Sequence, residues 1–310
     1  MKAVMLHTRA GPDALVYEEA PLPALAKDEV LIKAWAAGIT PTEFIWNSTF
    51  VDAEGKSRLP IIPAFEVSGT VEQKGRDVID LNQGDEVYGL LNFWRDGAAA
   101  EFVAARSSGM APKPRSIDFV QAAAVPLSGL TAWQALFDYA RINNGDSVLI
   151  HGAGGGVGTY AVQLAKWKGA RVIATCSKKN ADLASDLGAD EVIDYAGSRF
   201  DEVVHGVDAV LDTVGGDTLE RSWGVLRKGG TLVTIVGDAP EEKASAYGVR
   251  GFSMLVEPSR VQLAELGRLI DAGTIRPIVN KVFPLSRAKD AYQEGLKGHS
   301  RGKLVLKIRQ

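Results

Sequence analysis

The chain of 310 residues is 46% hydrophobic and 24% charged, which suits a soluble globular protein with one large or two ordinary domains. A net charge of -3 leaves no general attraction for nucleic acid or an anionic membrane surface, and no apolar run approaches the ~20 residues of a membrane span. A single cysteine, Cys176, rules out an internal disulfide and a four-cysteine structural zinc site.

The N-terminus, MKAVMLHTRAGPDALVYEE, carries His7 and Arg9 where a signal peptide keeps its apolar centre, so a cytoplasmic protein is expected. EVLIKAWAAG, EVSGTVEQKG and GDEVYGLL are apolar or alternating runs closed by glycine, and they predict strands without regular intervening helices. Beyond about residue 125 the pattern changes. SVLIHG, RVIATC, EVIDY, DAVLDTVG and GTLVTIVG are β-branched runs separated by stretches of helical spacing such as GTYAVQLAKWKG and KKNADLASDLGA. This alternation predicts an α/β fold with a doubly wound parallel sheet, its strands apolar throughout because helices cover both faces. Cys176 closes one of these runs and reads as a small buried residue. EPSRVQLAELGRLIDAGTIRP predicts a helix with a proline start and a glycine stop. The closing KLVLKI returns to strand alternation and is predicted to complete the first sheet, making the N-terminal domain discontinuous.

HGAGGGVGTYAVQLAK lies between the strand SVLIH and a helix, the context a dinucleotide fingerprint requires. Its spacing fits Ala153-x-Gly155-x-x-Gly158, with alanine in the first glycine place. Glycines let backbone N–H groups approach a pyrophosphate, and the helix N-terminus adds partial positive charge. An NAD site usually carries an acid about 20 residues later. Here the second strand ends in Thr175, Cys176, Ser177, Lys178, Lys179 and Asn180. A hydroxyl and two cations suit a 2′-phosphate, so NADPH is the expected cofactor.

These segments, with AAGITPTEF, AAAVPLSGLTAWQALFD, LGADEVIDY and RGKLVLKI, resemble the medium-chain dehydrogenase/reductase superfamily. Within it the chain is similar to the zinc-free NADPH-dependent quinone oxidoreductase group. The resemblance spans essentially the whole chain. It implies a Rossmann domain over 123–272 inserted in a β-rich GroES-like catalytic domain formed by 1–122 and 273–310. Thr40 and Phe65 stand where zinc-dependent relatives carry a metal cysteine and histidine, and neither ligates zinc in the usual way. Glu66 reads as a packed or hydrogen-bonded carboxylate, and His7, His151, His205 and His299 are scattered without ligand spacing. No metal is expected.

For the cofactor, the resemblance implies Gly155, Gly156 and Val157 against the pyrophosphate, with Ser177, Lys179 and Tyr195 around the 2′-phosphate and Lys178 as the alternate cation. It further implies Thr131 near the nicotinamide and Lys303 as a cofactor contact. Thr213, Val214, Val236 and Gly237 end strands whose carboxyl ends face the ligand crevice. For substrate, Thr40, Trp46, Phe50, Tyr88 and Phe252 are candidates. Trp46 and Phe50 read equally as loop packing. Tyr88 reads either as a donor to a developing oxyanion or as a core tyrosine. Thr40 and Tyr88 are the catalytic candidates, and Trp133 reads as core. The expected reaction is zinc-independent hydride transfer from NADPH to a quinone or enone, in a homodimer joined through GTLVTIVG as an edge strand. A non-catalytic NADPH-binding redox sensor or structural protein is the alternative.

Overall fold

The structure, a computed structural model, describes every residue except Ala53, His299, Ser300 and Gln310. His299, one of the four histidines, therefore lies outside the described residues. β1 (Lys2–Leu6) and β2 (Leu15–Glu19) form an antiparallel ribbon. β3 (Glu29–Ile39), β4 (Glu66–Lys74), β5 (Glu86–Leu90), β6 (Phe102–Arg106) and β7 (Met110–Pro112) follow, each paired antiparallel with its neighbours. Hairpins and long returns join them, so no crossover helices are needed.

The next six strands are parallel. They are β8 (Ser147–His151), β9 (Arg171–Cys176), β10 (Glu191–Asp194), β11 (Val207–Asp212), β12 (Leu226–Thr234) and β13 (Arg250–Ser253). Their order across the sheet is β10-β9-β8-β11-β12-β13. The order reverses between β8 and β11, the switch point at which such sheets open a ligand crevice. A helix follows each of the first five strands, and this is why the predicted runs are apolar on both faces. The expected edge strand needs correction. GTLVT of that run ends β12, which pairs with both β11 and β13 and is internal. The edge on this side is β13, whose short sequence RGFS carries little strand patterning; β10 is the other edge.

β14 (Val279–Pro284) and β15 (Lys303–Lys307) return to the first sheet. β15 lies between β14 and β3 in the order β14-β15-β3-β4-β5-β7. The tail KLVLKI thus joins the N-terminal sheet. The helix Arg260–Asp271 begins at Ser259, whose Oγ accepts from the Gln262 N–H at 3.3 Å, and buries Leu263, Leu266, Leu269 and Ile270. Tyr88 on β5 is fully buried, and its hydroxyl donates to the Leu263 carbonyl at 2.6 Å. A buried phenol requires an acceptor, and this one is already occupied. Tyr88 is therefore a core tyrosine tying helix to sheet, and the expectation of an oxyanion donor or substrate contact fails there.

Candidate functional site

The glycine loop turns at Gly152, with φ +70, where a side chain would also meet Thr213 Oγ1 at 2.4 Å. Gly158 is required for a different reason: a Cβ there would lie 2.2 Å from the Gly152 carbonyl oxygen and 2.6 Å from Ala153 Cα. Helix and strand touch backbone to backbone at that point. Ala153 fits in the first motif place because it is fully buried between them. The helix Gly156–Trp167 is capped by Gly155, so its free N–H groups and dipole face the crevice.

A cavity of about 450 Å³ opens over this loop. Gly154, Gly155, Ser177, Tyr195, Thr213 and Val214 are in its wall. No Asp or Glu lines it, whereas Arg199 and Arg221 do. Ser177 Oγ is buried there without a hydrogen-bond partner. A buried hydroxyl left unmatched by protein fits a polar ligand group. Lys178 and Lys179 are exposed on the single turn between Ser177 and Asn180, and are not themselves part of the wall. Arg199 and Arg221 hold Asp201 between them at 2.6 and 2.7 Å, and the Arg199 hydrogen bond keeps that carboxyl well below its usual range. These arginines were not singled out from sequence. They come from a loop and a helix whose placement depends on the sheet.

His151 ends β8 at the floor of this cavity and is fully buried. Ser222 Oγ donates to the Thr218 carbonyl at 2.7 Å, so it must accept from His151 Nε2–H at 3.0 Å. Nδ1 then accepts from Thr175 Oγ1 at 2.9 Å. Burial, reinforced by Arg221, lowers the imidazole to about 3, so it stays neutral. On the next strand the buried Asp212 carboxylate accepts from the N–H groups of Val214 and Gly215 and from Thr234 Oγ1. That turn presents Thr213, whose hydroxyl donates to the His151 carbonyl at 2.8 Å.

A second polar cluster adjoins the loop. The Gly302 N–H donates to the Gly154 carbonyl at 2.9 Å, laying the tail across the glycines. Lys303 then passes over Gly156: a Cβ on Gly156 would lie 2.9 Å from Lys303 Cδ. Its ammonium reaches Glu66 Oε1 at 3.1 Å and Thr40 Oγ1 at 3.2 Å. Glu66 Oε1 also accepts from the Leu127 N–H at 3.1 Å, while Oε2 is buried with no partner. Behind this pair Glu43 is fully buried, accepting from the Tyr292 hydroxyl and from the Ala64 N–H at 3.1 Å. Burial raises Glu43 to about 7, against the pull of the Tyr292 and Ala64 hydrogen bonds. Phe65 packs with Trp46 and Phe93 at ring distances of 6.4 and 5.2 Å. Among the described residues no group of three or more His, Cys, Asp and Glu side chains is placed to hold a metal ion.

The remaining candidates separate. Trp46 is half-buried, but Phe50 is 2% exposed with the Arg9 guanidinium over its ring, so Phe50 packs rather than bordering a cleft. Thr131 gives its hydroxyl to the Leu127 carbonyl at 2.6 Å within its own helix. Phe252 lies in β13, edge-on to Tyr139 at 5.4 Å. Val236 is exposed just beyond β12 and Gly237 follows it, while Val157 sits half-buried in the first turn of the loop helix. Trp133 is half-buried against Phe137 and Trp167. Cys176 is buried, and burial, with Asp194 beside it, pushes its thiol up. A cleft of about 380 Å³ between the loop helix and Gly273–Arg276 has its Lys166 already paired with Asp190 at 2.6 Å.

Family models match the chain in two places: an alcohol dehydrogenase GroES-like domain over residues 26–115 and a zinc-binding dehydrogenase over 187–306. The zebrafish (Danio rerio) mitochondrial NAD(P)H oxidoreductase RTN4IP1 is 31% identical over 324 residues, covering 91% of this chain and 84% of that protein. The chain belongs to the medium-chain dehydrogenase/reductase superfamily. The chloroplastic NADPH-dependent alkenal/one oxidoreductase of Arabidopsis thaliana is 33% identical over 317 residues, covering 99% of this chain and 79% of that protein. The quinone oxidoreductase structure from Coxiella burnetii superposes with a TM-score of 0.91 at 36% identity, covering 100% of this chain and 99% of that one. An oxidoreductase role and a small-molecule substrate are supported for this member of the superfamily. Among the described residues no helix is long and apolar enough to cross a membrane.

Proposed function

We propose that this protein is an NADPH-dependent, metal-free reductase of quinones or α,β-unsaturated carbonyl compounds. The carrying observation is the cavity over the glycine loop, which has Arg199, Arg221 and the unmatched Ser177 hydroxyl in its wall and no carboxylate. That chemistry suits a phosphorylated ribose better than the free diol an acid would hold. Gly155, Gly156 and Val157 receive the pyrophosphate at the helix N-terminus. Ser177, Tyr195 and Arg199 surround the 2′-phosphate, with Lys178 and Lys179 adding charge from the adjacent turn. Thr213, Val214, Val236 and Gly237 continue the crevice along the strand ends, and Lys303 crosses the loop from the other side.

Bound NADPH supplies a hydride. The chain orients the acceptor and provides a place for the negative charge that develops on its oxygen. Thr40 and Trp46 are the proposed substrate contacts. Thr40 and Phe65 occupy the places of a catalytic zinc site, which supports acceptors whose own π-system takes up charge over alcohols that need a metal. The sensor alternative has less support, because Cys176, the one cysteine in the cavity wall, is buried and its thiol is pushed up, which disfavours the reactive thiolate. A homodimer through the β13 edge is part of the same proposal.

Titration with NADPH and NADH tests the cofactor. NADPH should bind at least tenfold more tightly, and Lys179→Ala or Arg199→Ala should each weaken NADPH by about 1.5–3 kcal/mol while leaving NADH little changed. Equal affinities in the parent would remove the basis for the assignment. Oxidation of NADPH should follow addition of a quinone or 2-alkenal. Tight NADPH binding with no turnover of any such acceptor would instead favour the sensor.

A further inference from the structure

The buried arrangement of Thr40, Lys303 and Glu66 has a direction. Lys303 is 5% exposed and Glu66 1%, so the ammonium and carboxylate are shielded from solvent. Lys303 has N–H groups only to give, so at 3.2 Å the Thr40 oxygen must be the acceptor. The Thr40 hydroxyl hydrogen then has no protein acceptor among the described residues. Thr40, which directly follows β3, is half-buried, whereas Lys303 and Glu66 behind it are buried, so of the three residues it is the one left partly accessible. Glu66 Oε1, fixed by the Leu127 N–H, holds the ammonium in this position from behind. The lysine stem lies against Gly156 of the nucleotide loop, so the hydroxyl stands one lysine side chain from the proposed pyrophosphate site.

We propose that Thr40 is the proton donor to the substrate oxygen, and that Lys303 recharges it while Glu66 acts as a positioning residue. This rests on the reductase reading above. In the step, a hydride from the reduced nicotinamide forms a new C–H bond at the electron-poor carbon. The electron pair of the former double bond moves to the carbonyl oxygen. That oxygen takes the Thr40 hydroxyl proton as Thr40 Oγ1 takes one from Lys303 Nζ. The neutral amine beside Glu66 regains its proton from water after product leaves. An enone gives the enol, which becomes the saturated ketone in solution, and a quinone gives the keto tautomer of its hydroquinone, which aromatises when the ring carbon loses a proton to water and the second carbonyl oxygen gains one.

A phenol mimics the enolate oxygen without requiring turnover. Titration of 4-nitrophenol onto the protein holding NADP+, read by its phenolate absorbance, should give a bound phenol tenfold or more acidic than in water. Thr40→Val and Lys303→Met should each abolish this shift, and Thr40→Ser should restore it. The same two losses should lower the single-turnover rate of quinone or enone reduction about a hundredfold. NADPH affinity of Thr40→Val should stay within about twofold of the parent, separating proton supply from cofactor binding. Glu66→Gln should keep part of the phenol shift. A parental shift that survives in Thr40→Val would overturn the relay even if reduction proceeds. Thr40→Val, which leaves the ammonium pair intact, decides the matter if Lys303→Met fails to fold. Should the parent reduce no acceptor, the reductase reading falls, while the phenol shift still reports on the donor.

Discussion

His151 and Glu43 are both fully buried, and their ionisations act on stability in opposite directions. His151 is lowered by burial to about 3 from 6.5, so between those values the unfolded chain binds the extra proton. Its contribution is present above pH 6.5 and is lost as pH falls toward 3. Glu43 is raised to about 7 from 4.5, so its contribution is present below pH 4.5 and is lost as pH rises through 7. At about 1.4 kcal/mol per pKa unit, each amounts to a few kcal/mol. Denaturant unfolding from pH 4 to 8 should therefore show His151→Gln flattening the acid side and Glu43→Gln gaining stability at pH 8. Parallel curves for parent and variants would contradict the burial argument. Neither role was legible in the sequence. His151 reads as one of several scattered histidines, and nothing in the segment AAGITPTEF marks Glu43 out, because only the fold encloses them. Ser177 and Thr213 were legible as cavity residues from their strand-end positions and Tyr195 from the family resemblance, whereas Phe50 and Tyr88 were not separable from core aromatics.

At the scale of elements, the glycine loop was readable because its spacing reports a steric demand between one strand and one helix. That demand is sharpest at Gly158, where the obstructing atoms are backbone and cannot rotate away. Gly158→Ala should lower stability by about 2 kcal/mol or more and weaken NADPH at least tenfold, measured by thermal unfolding and by titration. An unchanged melting temperature with unchanged affinity would show that the loop has slack. β8, β9, β11 and β12 were legible because parallel strands covered on both faces carry long apolar runs, and the edge strand β10 from its place in the strand–helix alternation. β13 and β14 were not: RGFS is short, and VNKVFP carries polar residues on a half-exposed strand. The expectation of GTLVTIVG as the edge rests on its resemblance to the joining strand of relatives, and the short β13 beyond it carries no pattern that would correct it.

For the whole molecule, the tail matters more than its length suggests. β15 is an internal strand of the first sheet, and the residue that opens it, Lys303, also spans the nucleotide loop and the Thr40 cluster. The sequence pattern pointed to the sheet but not to the cluster, which needs three distant segments to meet. The exposed β13 edge should pair with its copy in a second chain. Light scattering at micromolar concentration should give twice the chain mass. A parent that scatters as a single chain would contradict the dimer.

The central claim is hydride transfer from NADPH to a conjugated acceptor, and it is tested most directly by following the hydrogen itself. With NADPH deuterated at the transferring C4 position and a cyclic enone as acceptor, the account predicts one deuterium at the β-carbon of the saturated ketone. The α-carbon should carry hydrogen from solvent. NADPH bound tightly with no label transferred to any enone or quinone, or label appearing from a simple alcohol onto NADP+ at comparable rate, would contradict it.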